Sequence, residues 1–125
     1  MISPLYIAVF SFMFALLSLR VIRLRQTVRV AIGDGGDKAL RRAIRVHGNF
    51  AEYVPLTLIL IFAAESIGVS TKWIHGLGIA LFVGRLLHAY GVSQVKERLM
   101  FRQLGLSTNG LVVIMTSVLI IGHYL

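Results

Sequence analysis

Four long apolar stretches alternate with short, mostly basic connections along the chain. The first runs from Met1 to Leu19 and is broken only by Ser3, Pro4, Tyr6, Ser11 and Ser18. That is about the ~20 residues a helix needs to cross a hydrocarbon core. Basic residues follow this run, at Arg20, Arg23, Arg25 and Arg29, and none precedes it. A secretory signal has the reverse order and ends in a small-residue cleavage site. The pattern therefore predicts a retained helix over about 1–25, with its N-terminus outside. A second helix is predicted over 38–66, after the turn signal Gly33-Asp34-Gly35-Gly36 and with Asp37 as its N-cap. Its first turns carry Arg41, Arg42 and Arg45, so it should project from the membrane there, and Pro55 is expected to kink it. Further spans are predicted over 71–93, with Trp73 at one interface, and over 103–124. The expected fold is an all-α integral membrane four-helix bundle, a single domain over residues 1–125.

Composition agrees with that reading. Hydrophobic residues make up 57% of the 125 residues and charged ones 14%, against roughly 45–50% and 25% in soluble domains. A soluble chain this short has too little interior to hide so much apolar surface. The absence of cysteine excludes a disulfide scaffold. The net charge is +8, which raises nucleic acid as a partner, but no helix-turn-helix pattern or zinc spacing supports it. The charges follow topology instead. The first connection and its helix ends hold Arg20 to Arg45, the third holds Lys96, Arg98 and Arg102, and the second holds only Lys72. By the positive-inside rule the first and third are cytoplasmic and both termini lie outside.

Arg85 and the polar residues of the second helix fall outside that explanation. At 100° per residue, Arg45, Asn49 and Glu52 share one helical stripe. Arg42 joins it one turn nearer the cytoplasm, and Tyr53 borders it. Arg85 and His88, at i and i+3 of the third span, face one direction at the same depth. Ionisable groups within spans are expensive and either tie helices together or line a wet site. Two such clusters at one depth favour a shared polar site. Guanidinium forks clamp carboxylates and a carboxylate holds an amine, so a small zwitterionic or multiply anionic ligand fits. No metal is expected, because His47, His75, His88 and His123 show no pairing with carboxylates. His47 lies about 160° from Asn49 around the helix and should serve another surface. The glycine-rich turn lacks the spacing and lysine of a P-loop. Glu65 is read as a snorkelling residue near the outer interface.

The stretch Arg45-Val46-His47-Gly48-Asn49-Phe50-Ala51-Glu52-Tyr53-Val54-Pro55 resembles the second-helix signature of the MAPEG family, the membrane-associated proteins of eicosanoid and glutathione metabolism. Gly84-Arg85-Leu86-Leu87-His88 and the Gly-Asp-Gly-Gly-Asp turn resemble its small bacterial members, and the likeness extends over the whole chain. The resemblance implies a homotrimer in a bacterial inner membrane, with glutathione bound between subunits near the cytoplasmic face. Carried over by position, Arg45, Asn49, Glu52 and Tyr53 match glutathione contacts on the second helix. Arg85 and His88 match an arginine–histidine pair on the third helix of the prostaglandin-synthase branch. Arg23 matches a first-helix arginine from the adjacent subunit, and Arg102 matches the arginine that activates the thiol. Two positions depart from the pattern. Val92 stands where other branches have a tyrosine, and aligning Arg102 needs a length change in the third connection, which leaves Arg98 as its rival.

The implied activity is glutathione activation for attack on lipophilic electrophiles or lipid hydroperoxides, which enter sideways from the bilayer. A guanidinium stabilises thiolate and lowers the thiol pKa. A non-catalytic trimeric scaffold or regulator that binds glutathione or lipid is the alternative. A small multidrug transporter is a weaker one, since such proteins depend on an acidic residue in the first span and Met1–Leu19 has none.

Overall fold

In a computed structural model of residues 1–125, four helices account for nearly the whole chain: α1 (Ser3–Val28), α2 (Lys38–Ser66), α3 (Thr71–Ser93) and α4 (Leu99–Tyr124). All four are long and apolar enough to cross a membrane. At 1.5 Å per residue, the 29 residues of α2 extend about 43 Å, against a hydrocarbon core of ~30 Å. The surplus is the polar N-terminal segment that carries Arg41, Arg42 and Arg45.

The ends of the helices follow local chemistry. Asp37 caps α2 by accepting the Leu40 N–H at 2.7 Å. Between α1 and α2 the chain turns through Gly33, Gly35 and Gly36, all at positive φ, a region glycine enters without steric cost. Asp34 accepts the Gly36 N–H and pairs with Arg41, so this segment is a closed turn. α1 continues to Val28 and ends on Arg29 in a left-handed conformation, three residues beyond the expected end. α4 begins at Leu99 rather than near 103. Leu99, Met100, Phe101 and Arg102 are good or neutral helix formers, and the expected start followed apolarity, which Arg102 interrupts. α2 runs unbroken through Pro55.

Glu65 has a more specific part than snorkelling. Its carboxylate accepts the backbone N–H groups of Ile2 and Ser3, the second at 2.8 Å. The first turn of α1 has no side-chain cap of its own, and a helix start leaves N–H groups without partners. The last turn of α2 supplies the missing acceptor. Replacing Glu65 by alanine is expected to fray the first turn of α1, read as faster hydrogen exchange of its leading amides while α4 amides keep their protection. Unchanged exchange would mean that water caps this end equally well.

The core lies where α1, α2 and α3 meet. Phe10 is fully buried between Phe50 and Phe82, at centroid distances of 6.2 and 6.1 Å. Val54, Ile61, Ile74 and Leu81 complete it. Many large apolar side chains, among them Phe12, Leu56, Ile59, Ile114 and Val118, point outward, as suits a protein whose solvent is hydrocarbon. The most extensive helix contact is α3 against α4. Small residues make it possible: Gly84 faces Thr108, Gly91 faces Phe101, and Gly105 lies against the backbone of Gly84 and His88.

Candidate functional site

The polar residues gather at the basic end of the bundle, where α2 starts, α3 ends and α4 begins. They form an open pocket and a buried chain. The pocket has a volume of about 370 Å³ and is lined by Lys38, Arg41, Arg42, Arg45, Arg102 and Glu97, with Val92 and Val95. Glu97, in the α3–α4 connection, reaches into it. Arg42 Nη1 donates to Glu97 Oε2 at 2.8 Å and also contacts the Val92 carbonyl at 3.1 Å. Arg102 Nη1 donates to Glu97 Oε1 at 3.3 Å, which is the only hydrogen bond its side chain makes. The Glu97 side chain is 13% exposed. The hydrogen bond from Arg42 holds its carboxyl below the usual carboxylate range, with a further contribution from Arg102, so Glu97 is ionised at neutral pH.

The second part lies inside the bundle. Arg85 is 1% exposed, and its Nη2 donates to Asn49 Oδ1 at 2.7 Å, joining α3 to α2. The same nitrogen lies 3.3 Å from His88 Nδ1. A guanidinium offers donors only, so His88 Nδ1 accepts and the neutral ring carries its proton on Nε2. The guanidinium sits 5.7 Å from the centre of the Phe50 ring. Its Nε and Nη1 are buried with no partner in the chain, and no carboxylate pairs with it. A buried unpaired donor is costly, more so on a charged group, and donors of this kind mark where an acceptor is missing.

The residues singled out from sequence divide accordingly. Arg45 and Arg102 line the open pocket, and Asn49, Arg85 and His88 form the buried chain. Arg45 also pairs with Glu52 at 3.4 Å, on a half-exposed face of α2 where Tyr53 is exposed too. Arg23 is exposed on α1 and joins none of these groups within the chain. Arg98 is separated from Arg102, because it lines a different cavity with Tyr90, Gln94, Lys96 and Phe101. His47 faces away from the site: its ring stacks on Phe14 at 4.8 Å and its Nε2 lies 2.9 Å from Ser18 Oγ.

Two participants escaped the sequence reading. Glu97 carries a weak signal as a lone carboxylate inside Lys96-Glu97-Arg98. Asn109, buried in α4, donates to Thr57 at 3.4 Å and leaves its Oδ1 unpaired. A single asparagine within an apolar run was its only mark. On another side, an apolar cavity of about 550 Å³ between α1 and α2 is lined by Phe10, Phe14, Phe50, Val54 and Phe62. Phe50 belongs both to this wall and to the surroundings of Arg85.

Comparison with known proteins agrees with the second-helix motif. The chain is similar to the inner membrane protein YecN of Escherichia coli K12 and of Escherichia coli O6:H1. Each is 44% identical over 91 residues, which cover 73% of this chain and 70% of the relative. The model of the MAPEG family matches residues 3–122, a span that contains α1, α2 and α3 whole, all of α4 but its last two residues, and every residue of the site. The chain belongs to the MAPEG family.

Proposed function

We propose that this protein is a glutathione-binding membrane enzyme that activates the thiol for conjugation to lipophilic electrophiles or for reduction of lipid hydroperoxides. The carrying observation is the convergence of Arg42, Arg45 and Arg102 on one pocket, beside a buried Arg85 that lacks an anionic partner. An acidic tripeptide offers two carboxylates and an amine. Arg42 and Arg45 suit the carboxylates and Glu52 suits the amine, while Arg85, buried with its Nε and Nη1 unpaired, adds positive charge behind the pocket. When bound, glutathione supplies the sulfur nucleophile. Arg102, at the head of α4, would hold positive charge near the thiol and favour its ionised form. Asn49 and His88 hold Arg85 in place, and the apolar cavity past Phe50 suits a lipophilic second substrate.

Within this reading the assembly is a homotrimer, and the exposed Arg23 joins the site of a neighbouring subunit. The half-exposed Glu52 and Tyr53 face of α2 suits such a contact. The spans, the basic connections and the similarity to an inner membrane protein support a bacterial inner membrane, with the basic end inside and both termini outside.

Calorimetric titration of the detergent-purified protein with glutathione and with an S-alkyl derivative tests the reading. Saturable binding of both, with thiolate absorbance for glutathione alone, is expected. No binding of either would remove the proposal. Thiolate formation without turnover over a broad panel of electrophiles and hydroperoxides would turn it toward a non-catalytic scaffold or regulator.

A further inference from the structure

The open pocket contains an anion supplied by the chain itself. Its lining carries five cationic side chains and one carboxylate, that of Glu97. Arg41 is committed to Asp34 outside the pocket. Of the others, Arg42 and Arg102 are both turned onto Glu97, one through each oxygen. Glu97 is not a residue of either packed helix face. It lies in the five-residue connection Gln94–Arg98, between the end of α3 and the start of α4, and can withdraw without unpacking a helix.

We infer that Glu97 is a tethered counter-ion that occupies the anion subsite of this pocket, and that an anionic ligand binds by taking its place on Arg102 and Arg42. The two arginines differ in how they respond. Arg42 keeps its bond to the Val92 carbonyl when Glu97 leaves, so it stays positioned. Arg102 has no other side-chain partner, so once Glu97 leaves, its whole charge faces the incoming ligand, whether through a negative oxygen or an ionised thiol. Ligand selection follows from this exchange. A ligand that brings one weak acceptor gains little over the carboxylate already there. One that brings a carboxylate or phosphate to Arg42 and a second negative atom, oxygen or ionised sulfur, to Arg102 gains the charge-assisted bonds and releases Glu97 to water. Glu97 is thus a specificity-determining residue that raises the threshold for entry. It does not touch reacting atoms and is not catalytic. The inference rests on the proposed function only in taking glutathione as one such anion.

The test uses the full-length protein in detergent and two ligands, inorganic phosphate and S-hexylglutathione, titrated by calorimetry into wild type, Glu97→Gln and Glu97→Asp. Removing the competing charge with Glu97→Gln is expected to tighten phosphate binding about two- to fivefold, the range for a partly exposed ion pair. Glu97→Asp keeps the charge and should stay near wild type. Glu97→Ala reads the same effect should the glutamine variant not purify. Equal or weaker phosphate binding by Glu97→Gln overturns the inference, because Glu97 would then be a strut that shapes the pocket. Equal tightening by Glu97→Asp overturns it also, since a loosened connection rather than a lost charge would be the cause. Absence of phosphate binding in all variants overturns it as well. Tightened phosphate binding with no response to S-hexylglutathione supports the counter-ion and removes glutathione as the ligand, so the two readings fail separately.

Discussion

Gly105→Val is expected to separate α3 from α4 and to destabilise the protein by about 3 kcal/mol, the upper end for overpacking a close contact. A Cβ added at Gly105 would lie 2.6 Å from His88 Cβ, 2.7 Å from the Gly84 carbonyl oxygen and 2.8 Å from the His88 nitrogen. Two of these atoms are backbone, so no rotamer change relieves them and the helices must move apart. The contact they lose is the most extensive in the bundle. Gly105→Ala should show a smaller loss of the same kind. Gly110, on the same helix, has open space around its Cβ position. Gly110→Ala should be neutral or slightly stabilising, because glycine is a poor helix former. Chemical unfolding in detergent compares the two alanine variants, and equal stability would refute the close approach. The site should respond too: His88 carries the displaced backbone and holds Arg85, so ligand affinity should fall in Gly105→Ala even where the fold survives.

On the proposed function, Arg102→Ala is expected to abolish the thiolate absorbance of bound glutathione and to lower turnover about 10²–10³-fold, the range for removing one preorganised electrostatic group. The loss should not come from unfolding. The Arg102 side chain is 44% exposed and its one ion pair, at 3.3 Å, joins it to a residue that Arg42 also holds. Pairs of this kind contribute roughly 0–1 kcal/mol. Arg98→Ala is the matched control: Arg98 lines a separate cavity on the other side of the connection, so that variant should keep its thiolate signal. Unchanged thiolate formation in Arg102→Ala, or its loss in Arg98→Ala, would reverse the assignment of the two arginines. Arg102→Lys keeps the charge without the fork and should fall between wild type and alanine.

The four spans were legible because the cost of putting a polar group into hydrocarbon acts on each segment by itself. The stripe of Arg45, Asn49 and Glu52 was legible for a related reason, since helical periodicity alone places them on one face. Their separate fates were not. Asn49 turns inward to Arg85, 36 residues away, while Arg45 and Glu52 remain half-exposed. Spacing alone does not rank Arg98 against Arg102; the helix start at Leu99 leaves Arg98 as the last residue of the connection and puts Arg102 in the first turn of α4, facing different cavities. Glu65 reads as an interfacial carboxylate from local pattern alone; its capping role depends on the first turn of α1, 62 residues away, packed beside it.

Glu97 shows most clearly where local pattern stops. Its neighbours in sequence are both basic, and either could have been read as its partner. It bonds instead to Arg42, 55 residues away, and to Arg102 across the start of α4. Span length, the placement of basic connections and the second-helix motif follow from terms that are additive along the chain, and so a single sequence states them. Which guanidinium is paired, which is left with free donors and which anion already occupies the pocket depend on distances of about 3 Å between helices, at low dielectric, where one ångström separates a bond from an orphaned charge. The packing of α2 against α3 and α4, together with that of α4 on α3 made close by Gly105, brings those groups within reach.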